Sequence, residues 1–224
     1  MLYFRGCTAN ERLNNISNST EELLKIMSVE YETLANENCC GSVLLRTGFV
    51  GEAKDIIKDN ISNFKNEKVL VSCAGCYKTL KEDYKKLFNL DLDIIHTSQL
   101  FKKLIDENKL YIKKSNINAT YHDPCHLARY NYEFEAPREV IKSIANLKEM
   151  ENNRENSKCC GAGGGVKSAF PEIAKSIAKS RVKEVEATSC ETLITTCPFC
   201  KLNLDENSPF EVLDLSEFLL KNLR

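Results

Sequence analysis

Ten of the eleven cysteines in this 224-residue chain fall into two sets of five that repeat one order and nearly one spacing. Cys7 is followed after 31 residues by the pair Cys39-Cys40, whose next residue is Gly41, and after 32 more by Cys73-Ala74-Gly75-Cys76. Cys125 is followed after 33 residues by Cys159-Cys160, whose next residue is Gly161, and after 36 more by Cys197-Pro198-Phe199-Cys200. A pattern repeated at this length predicts two copies of one unit, each folding distant loops onto a common point. Burial of a small apolar thiol explains a lone cysteine such as Cys190, which has no counterpart in the first half. It does not explain two adjacent pairs and two CxxC units in the same order.

The local spacings narrow the chemistry. A CxxC loop lets two thiolates converge on one metal or cluster. Adjacent cysteines in extended backbone point to opposite sides, which suits a multi-iron cluster better than one tetrahedral ion. Five thiolates per half exceed the four around one zinc or one ordinary cubane cluster. Either one cysteine of each set is idle or the cluster uses all five, with one thiolate bridging two irons.

Size and charge exclude several classes. The chain is long enough for two lobes with real cores, so it does not need cysteines in place of packing. Lysine and arginine number 31 against 32 acidic residues, which gives no electrostatic case for nucleic acid. No run approaches the length of a transmembrane helix, and the opening residues have no apolar leader core. The expected location is therefore cytoplasmic, where thiols stay reduced and eleven cysteines are read as ligands or redox groups.

Hydrophobic periodicity places the cysteines on a repeated frame. The pattern predicts helices over 20–34, 50–64 and 77–88, and a strand over 68–72 that ends at Cys73. A strand over 92–96 and a helix over 98–105 follow. In the second half a strand over 119–122 leads to Cys125, helices cover 137–150 and the segment starting at Pro171, and a strand over 191–196 delivers Cys197. Residues 93–105 and 211–223 share one strand, turn and helix order. The expected fold is α/β with two pseudo-symmetric cysteine-rich lobes, 1–112 and 113–224, each a small mainly parallel sheet flanked by helices. Duplication also predicts that the two cysteine sets face a shared cleft.

Other residues give weaker signals. Gly161-Ala162-Gly163-Gly164-Gly165 lacks both the GxGxxG and the GxxxxGK[ST] spacing, so the expectation is backbone passing close to a cluster, with Gly41 and Gly75 acting alike in the first half. His122, Asp123 and His126 surround Cys125 and are read as hydrogen-bonding neighbours, with ligation or proton donation as the alternative. His96, Arg129 and Lys167 are read as structural or surface residues, and Cys190 as filling apolar volume.

These residues resemble a known family. Gly6-Cys7, Cys39-Cys40-Gly41 and Cys73-Ala74-Gly75-Cys76, with Asp123-Pro124-Cys125-His126-Leu127, Cys159-Cys160-Gly161 and Cys197-Pro198-Phe199-Cys200, are similar to the duplicated cysteine-rich CCG domains of the heterodisulfide reductase catalytic subunit and related iron–sulfur oxidoreductase subunits. Arg5 stands before Gly6 where that family often has proline. The resemblance implies two [4Fe-4S] clusters of noncubane type, one held by Cys7, Cys39, Cys40, Cys73 and Cys76, the other by Cys125, Cys159, Cys160, Cys197 and Cys200. Some relatives hold zinc or a conventional cluster in one half.

It also implies reduction of a small-molecule disulfide between the clusters, with Cys40 and Cys160 the catalytic members. Cleaving the S–S bond takes two electrons and two protons, which two one-electron clusters would share. No ferredoxin-like CxxCxxCxxxCP run and no flavin or nucleotide fingerprint is present, so electrons are expected from a separate ferredoxin-like or flavoprotein subunit. Two rival readings stay open: an electron-transfer subunit of a flavoprotein 2-hydroxy-acid or glycerol-3-phosphate dehydrogenase complex, and a structural zinc protein.

Overall fold

A computed structural model describes residues 1–64, 67–112 and 114–223. Short runs containing β-branched or aromatic residues form every strand except the two-residue Asn146–Leu147, and most strands end beside a cysteine or a helix cap. In the first half β1 (Leu2–Phe4), β2 (Val69–Val71) and β3 (Ile94–His96) make a parallel sheet in the order β1-β2-β3. In the second, β4 (Asn118–His122), β5 (Asn146–Leu147), β6 (Thr192–Thr195) and β7 (Glu211–Asp214) make a parallel sheet in the order β5-β4-β6-β7. The expected α/β fold with two small parallel sheets is therefore the observed one.

Register carries the repeat down to single residues. Tyr3 and Phe4 pair with Leu70 and Val71, while Tyr121 and His122 pair with Ile194 and Thr195. Val71 then pairs with His96 as Thr195 pairs with Asp214. The Tyr3 hydroxyl meets Ser72 Oγ at 3.0 Å, and the Tyr121 hydroxyl meets Thr196 Oγ1 at 2.8 Å. Each such pair fixes the strand end one residue before the CxxC unit.

Alternating side chains give each sheet two covered faces. Tyr3 and Leu70 of one sheet and Tyr121 and Ile194 of the other contribute to one apolar cluster with Leu23, Phe101, Ile141 and Phe218. Those four come from the helices Asn14–Ile26, Thr97–Asp106, Glu135–Ile144 and Leu215–Lys221. The first of these packs against the last, and the second against the third, so both contacts run between the halves. The opposite faces, with Phe4, Val71, Leu193 and Val212, join a second cluster that takes in the outer helices Val50–Asn63 and Pro171–Glu186 and six of the cysteines.

The helix after the last strand of each sheet begins with a capping box. His96 accepts the Ser98 amide on its ring while its own amide donates to Gln99. Asp214 accepts the Ser216 amide while its amide donates to Glu217. Each box satisfies amides that the first helical turn leaves unpaired.

Three helices differ from the sequence pattern. The one expected over 20–34 is Asn14–Ile26; Ser28, at φ 53, turns the chain so that Glu32 runs beside β1, its amide donating to the Met1 carbonyl at 2.9 Å. The one expected over 137–150 stops at Ile144, because Ala145 becomes extended and β5 adds to the sheet edge. The one expected over 77–88 begins at Ala74, so the CxxC unit lies in the first helical turn. Lys113, the first residue of the expected second lobe, lies outside the described residues. Among the described residues, no helix is long and apolar enough to cross a membrane.

Candidate metal centre

All ten repeated cysteines line one cavity of about 540 Å³. The fold brings them there from equivalent places. Cys7 and Cys125 follow the first strand of each sheet, Cys39-Cys40 and Cys159-Cys160 sit in the loops before the outer helices, and Cys73 and Cys197 cap the helices that contain Cys76 and Cys200. Cys40, Cys73, Cys76, Cys160, Cys197 and Cys200 are buried, while Cys159 is exposed. Cys7 Sγ lies 3.7 Å from Cys39 Sγ, and Cys76 Sγ lies 3.3 Å from Cys40 Sγ. The predicted shared cleft is present as a geometry of thiols.

The electrostatics repeat with the geometry. Hydrogen bonds from Cys39 and Cys76 hold the Cys40 thiol well below its ordinary range, and bonds from Cys159 and Cys200 do the same to Cys160. The donors move the opposite way: the bond to Cys40 pushes Cys39 up to about 11, and the bond to Cys160 raises Cys159. Burial pushes Cys125 up to about 11. Cys197 is lowered by bonds from Cys200 and Cys73, and the latter contact crosses from one half to the other. The second cysteine of each adjacent pair, and Cys197 beside it in the second half, is thus a thiolate that its neighbours solvate, and a thiolate is the form that binds metal. The first turns of both CxxC helices line the same cavity, through Ala74 and Gly75 in one and Phe199 in the other.

The loops carrying the adjacent pairs are held by backbone contacts. The Gly41 amide points at Cys39 Sγ at 3.5 Å and the Gly161 amide at Cys159 Sγ at 3.3 Å. Both glycines have positive φ, 84° and 89°, which other residues adopt at a cost. A Cβ on Gly161 would also come within 2.7 Å of the Ala174 carbonyl, so the loop lies directly on the outer helix. Asn60 donates to the Cys39 carbonyl at 2.8 Å and Asn203 to the Cys160 carbonyl at 2.7 Å.

Of the other residues singled out from sequence, Gly75, Gly163, Gly164, Gly165, His126 and Lys167 line the cavity. Gly41 and Gly161 do not; their role is the turn. His126 belongs to the second half but reaches the first, where a Cβ on Gly75 would lie 3.7 Å from its Nδ1. Burial lowers its basicity. Lys167 is held by Asn203 at 3.0 Å and by Glu206. Arg129 donates to the Ser157 carbonyl, and Cys190 is buried away from the cavity with Sγ facing the Thr188 carbonyl at 3.7 Å. Asp123 takes both terminal nitrogens of Arg138, at 2.7 and 2.9 Å, and the Arg154 amide, fixing the turn before Cys125.

His122 is buried with a ring nitrogen within 4.8 Å of Cys160 and Cys200, a grouping able to hold a metal ion. Arg138 and Arg181, both fully buried, and Glu37, whose carboxylate accepts the Arg5 and Gly6 amides at 2.9 and 2.6 Å, were not legible as site residues. A charged residue on an amphipathic helix reads as surface, and only its place in the three-to-four-residue spacing of Ala174, Ala178 and Val185 marks Arg181 as inward.

The donor set fits an iron–sulfur group. Ten sulfurs converge where no disulfide forms among them, and a Cβ on Gly6 would come within 3.0 Å of Cys76 Sγ, so backbone is drawn close to the sulfur layer.

The family described as "Cysteine-rich domain", CCG, matches residues 1–81 and 119–205. The chain belongs to this family. It carries the domain twice, as the paired registers require. Over 216 residues it is 40% identical to one component of the dihydromethanophenazine:CoB–CoM heterodisulfide reductase of Methanosarcina acetivorans, covering 91% of this chain and 53% of that protein. It is 33% identical over 206 residues to one component of the CoM/CoB fumarate reductase of Methanothermobacter marburgensis, covering 92% of this chain and 41% of that one. The chain thus spans about half or less of the length of these curated relatives. Among solved structures, glutamate racemase RacE1 of Bacillus anthracis aligns over 98% of this chain and 77% of its own at 13% identity and a TM-score of 0.41.

Proposed function

We propose that the chain is an iron–sulfur oxidoreductase subunit that reduces a small-molecule disulfide in the cavity between its two halves. The observation that carries this reading is the convergence of all ten cysteines on that one cavity. Cys7, Cys39, Cys40, Cys73 and Cys76 hold one [4Fe-4S] cluster, and Cys125, Cys159, Cys160, Cys197 and Cys200 the other, within lobes 1–112 and 113–224. When bound, the clusters supply electrons one at a time and a Lewis-acidic iron for sulfur.

The remaining work belongs to the chain. Cys40 and Cys160, each held as a thiolate by hydrogen bonds from neighbouring cysteines, are the catalytic members. Val43, Ala162 and Phe199 give the cavity apolar surface beside the sulfur layer. His126, at the boundary of the two halves, can pass a proton to a departing thiolate. Arg12 lines the same cavity, exposed, and offers charge to an anionic substrate. The balance is one disulfide, two electrons and two protons in, two thiols out. Electrons come from a separate redox subunit, and the chain works in the reducing cytoplasm, where thiols stay available as ligands.

The test is anaerobic turnover with a reduced viologen as electron source and a mixed low-molecular-weight disulfide as acceptor. Two thiols released per disulfide, lost in Cys40→Ser and Cys160→Ser, is the expected result. Undiminished thiol release from protein stripped of iron would overturn the proposal.

A further inference from the structure

His122 occupies in β4 the register position that Phe4 occupies in β1, so the two halves differ where their frames coincide. Its environment defines which ring nitrogen carries hydrogen. Arg181 Nε, which can only donate, lies 3.1 Å from His122 Nδ1, so Nδ1 accepts and the ring hydrogen is on Nε2. Arg181 is itself immobilised: its terminal nitrogens donate to the Asn152 carbonyl at 2.8 Å, to Glu184 at 2.5 Å and to Ser157 Oγ at 3.2 Å. A ring nitrogen lies within 4.8 Å of the buried Cys160 and Cys200 sulfurs, and with Nδ1 taken by Arg181 the hydrogen that the ring can offer them is on Nε2, a donor and not a ligand.

On the reading that each cysteine set holds a cluster, we propose that His122 donates its Nε2 hydrogen to the Cys160 thiolate, and that this makes the second-half cluster the more easily reduced of the two. Adding one electron makes the cluster and its thiolates more negative, and a donor aimed at a ligand sulfur stabilises that form. Phe4 offers no donor at the matching place in the first half. Electrons entering the chain therefore come to rest in the second half first, and the first half completes the pair. Arg181 is the positioning residue, acting only through the histidine tautomer.

The experiment is an anaerobic redox titration with dithionite, followed by electron paramagnetic resonance, on protein whose iron and sulfide have been quantified. Dithionite supplies one electron per cluster in each reductive step, and no proton leaves Nε2. Two separated midpoint potentials are expected. His122→Phe should bring the higher one down toward the lower and leave the lower in place. His122→Gln, which keeps an N–H donor, should restore much of the separation, and Arg181→Met should shift the same potential in the same direction by less. With ¹⁵N-histidine, a weak nitrogen coupling should appear on the cluster reduced first and vanish in His122→Phe.

Loaded clusters whose potentials do not move in His122→Phe would overturn this inference alone. So would loss of half of the iron in both His122→Phe and His122→Gln, which would make the residue a ligand. Wild-type protein that binds no iron would remove the cluster reading itself, and this inference with it.

Discussion

The two halves share strand order, register, cysteine geometry and helix caps, yet they bury different polar groups at matching positions. Phe4 faces Val71 where His122 faces Thr195, and His96 caps its helix where Asp214 caps the other. The first half has Glu37 holding the loop before Cys7; the second has Asp123 tied to Arg138 before Cys125. The difference teaches that the metal-binding frame needs only backbone register and sulfur, whereas the buried polar groups around it are free to diverge and to give each half its own electrostatics.

The largest expected effect breaks one half and leaves the other. Cys40→Ser or Cys160→Ser should cost about half of the bound iron and most of the disulfide turnover, because the two sets draw on separate loops. Iron and sulfide analysis after anaerobic purification checks this, and loss of all the iron in either variant would mean that the halves load as one site.

Next in size is the contrast between the two turn glycines. Gly161→Ala places a Cβ 2.7 Å from the Ala174 carbonyl at φ 89°, while Gly41→Ala at φ 84° comes no nearer than 3.3 Å to the Ile57 side chain and 3.6 Å to the Ala53 carbonyl. Left-handed backbone costs either alanine about 1–2 kcal/mol, and the clash with backbone adds to the first alone. Denaturant unfolding should rank Gly161→Ala as the more damaging; equal losses would show that the outer helix yields.

The equivalent caps should respond to pH in opposite senses. Burial lowers His96 from 6.5 to about 4, so between those values the unfolded chain binds the extra proton and stability rises with pH. Burial raises Asp214 from 3.8 to about 7, so across that range the folded chain binds the extra proton and stability falls as pH rises. Each is worth at most about 1.4 kcal/mol per pH unit. Comparing His96→Gln and Asp214→Asn with wild type by denaturant unfolding at pH 5 and pH 8 should show the first gaining relative stability at pH 5 and the second at pH 8.

The smallest contrast is at the strand ends. Tyr3→Phe and Tyr121→Phe each remove one buried hydrogen bond, to Ser72 and to Thr196, and should each cost about 1 kcal/mol. Thermal unfolding with iron content unchanged is the readout, and a loss confined to one variant would break the equivalence of the two strands.

The frame was legible because cysteine spacing and strand pattern repeat together: Val69–Val71 before Cys73 and Thr192–Thr195 before Cys197 are both visible as β-branched runs. The helix expected through 34 failed because its apolar residues, Val29 and Tyr31 among them, pack on the same cluster from a strand-like return and not from a helix. The short β5 was hidden inside an amphipathic pattern, since two paired residues leave no period to read. Around the site, the cysteines announced themselves. Arg138 and Arg181 did not, because a buried guanidinium depends on carboxylates and carbonyls brought from distant segments, such as Glu149 and Asn152.

The account rests on two iron–sulfur clusters in one cavity. Iron, sulfide and zinc should be quantified on protein purified without oxygen, together with its electron paramagnetic resonance spectrum. The account predicts about eight irons with matching sulfide per chain and two reducible paramagnetic centres. About one or two zinc ions, with no sulfide and no such signal, would contradict it.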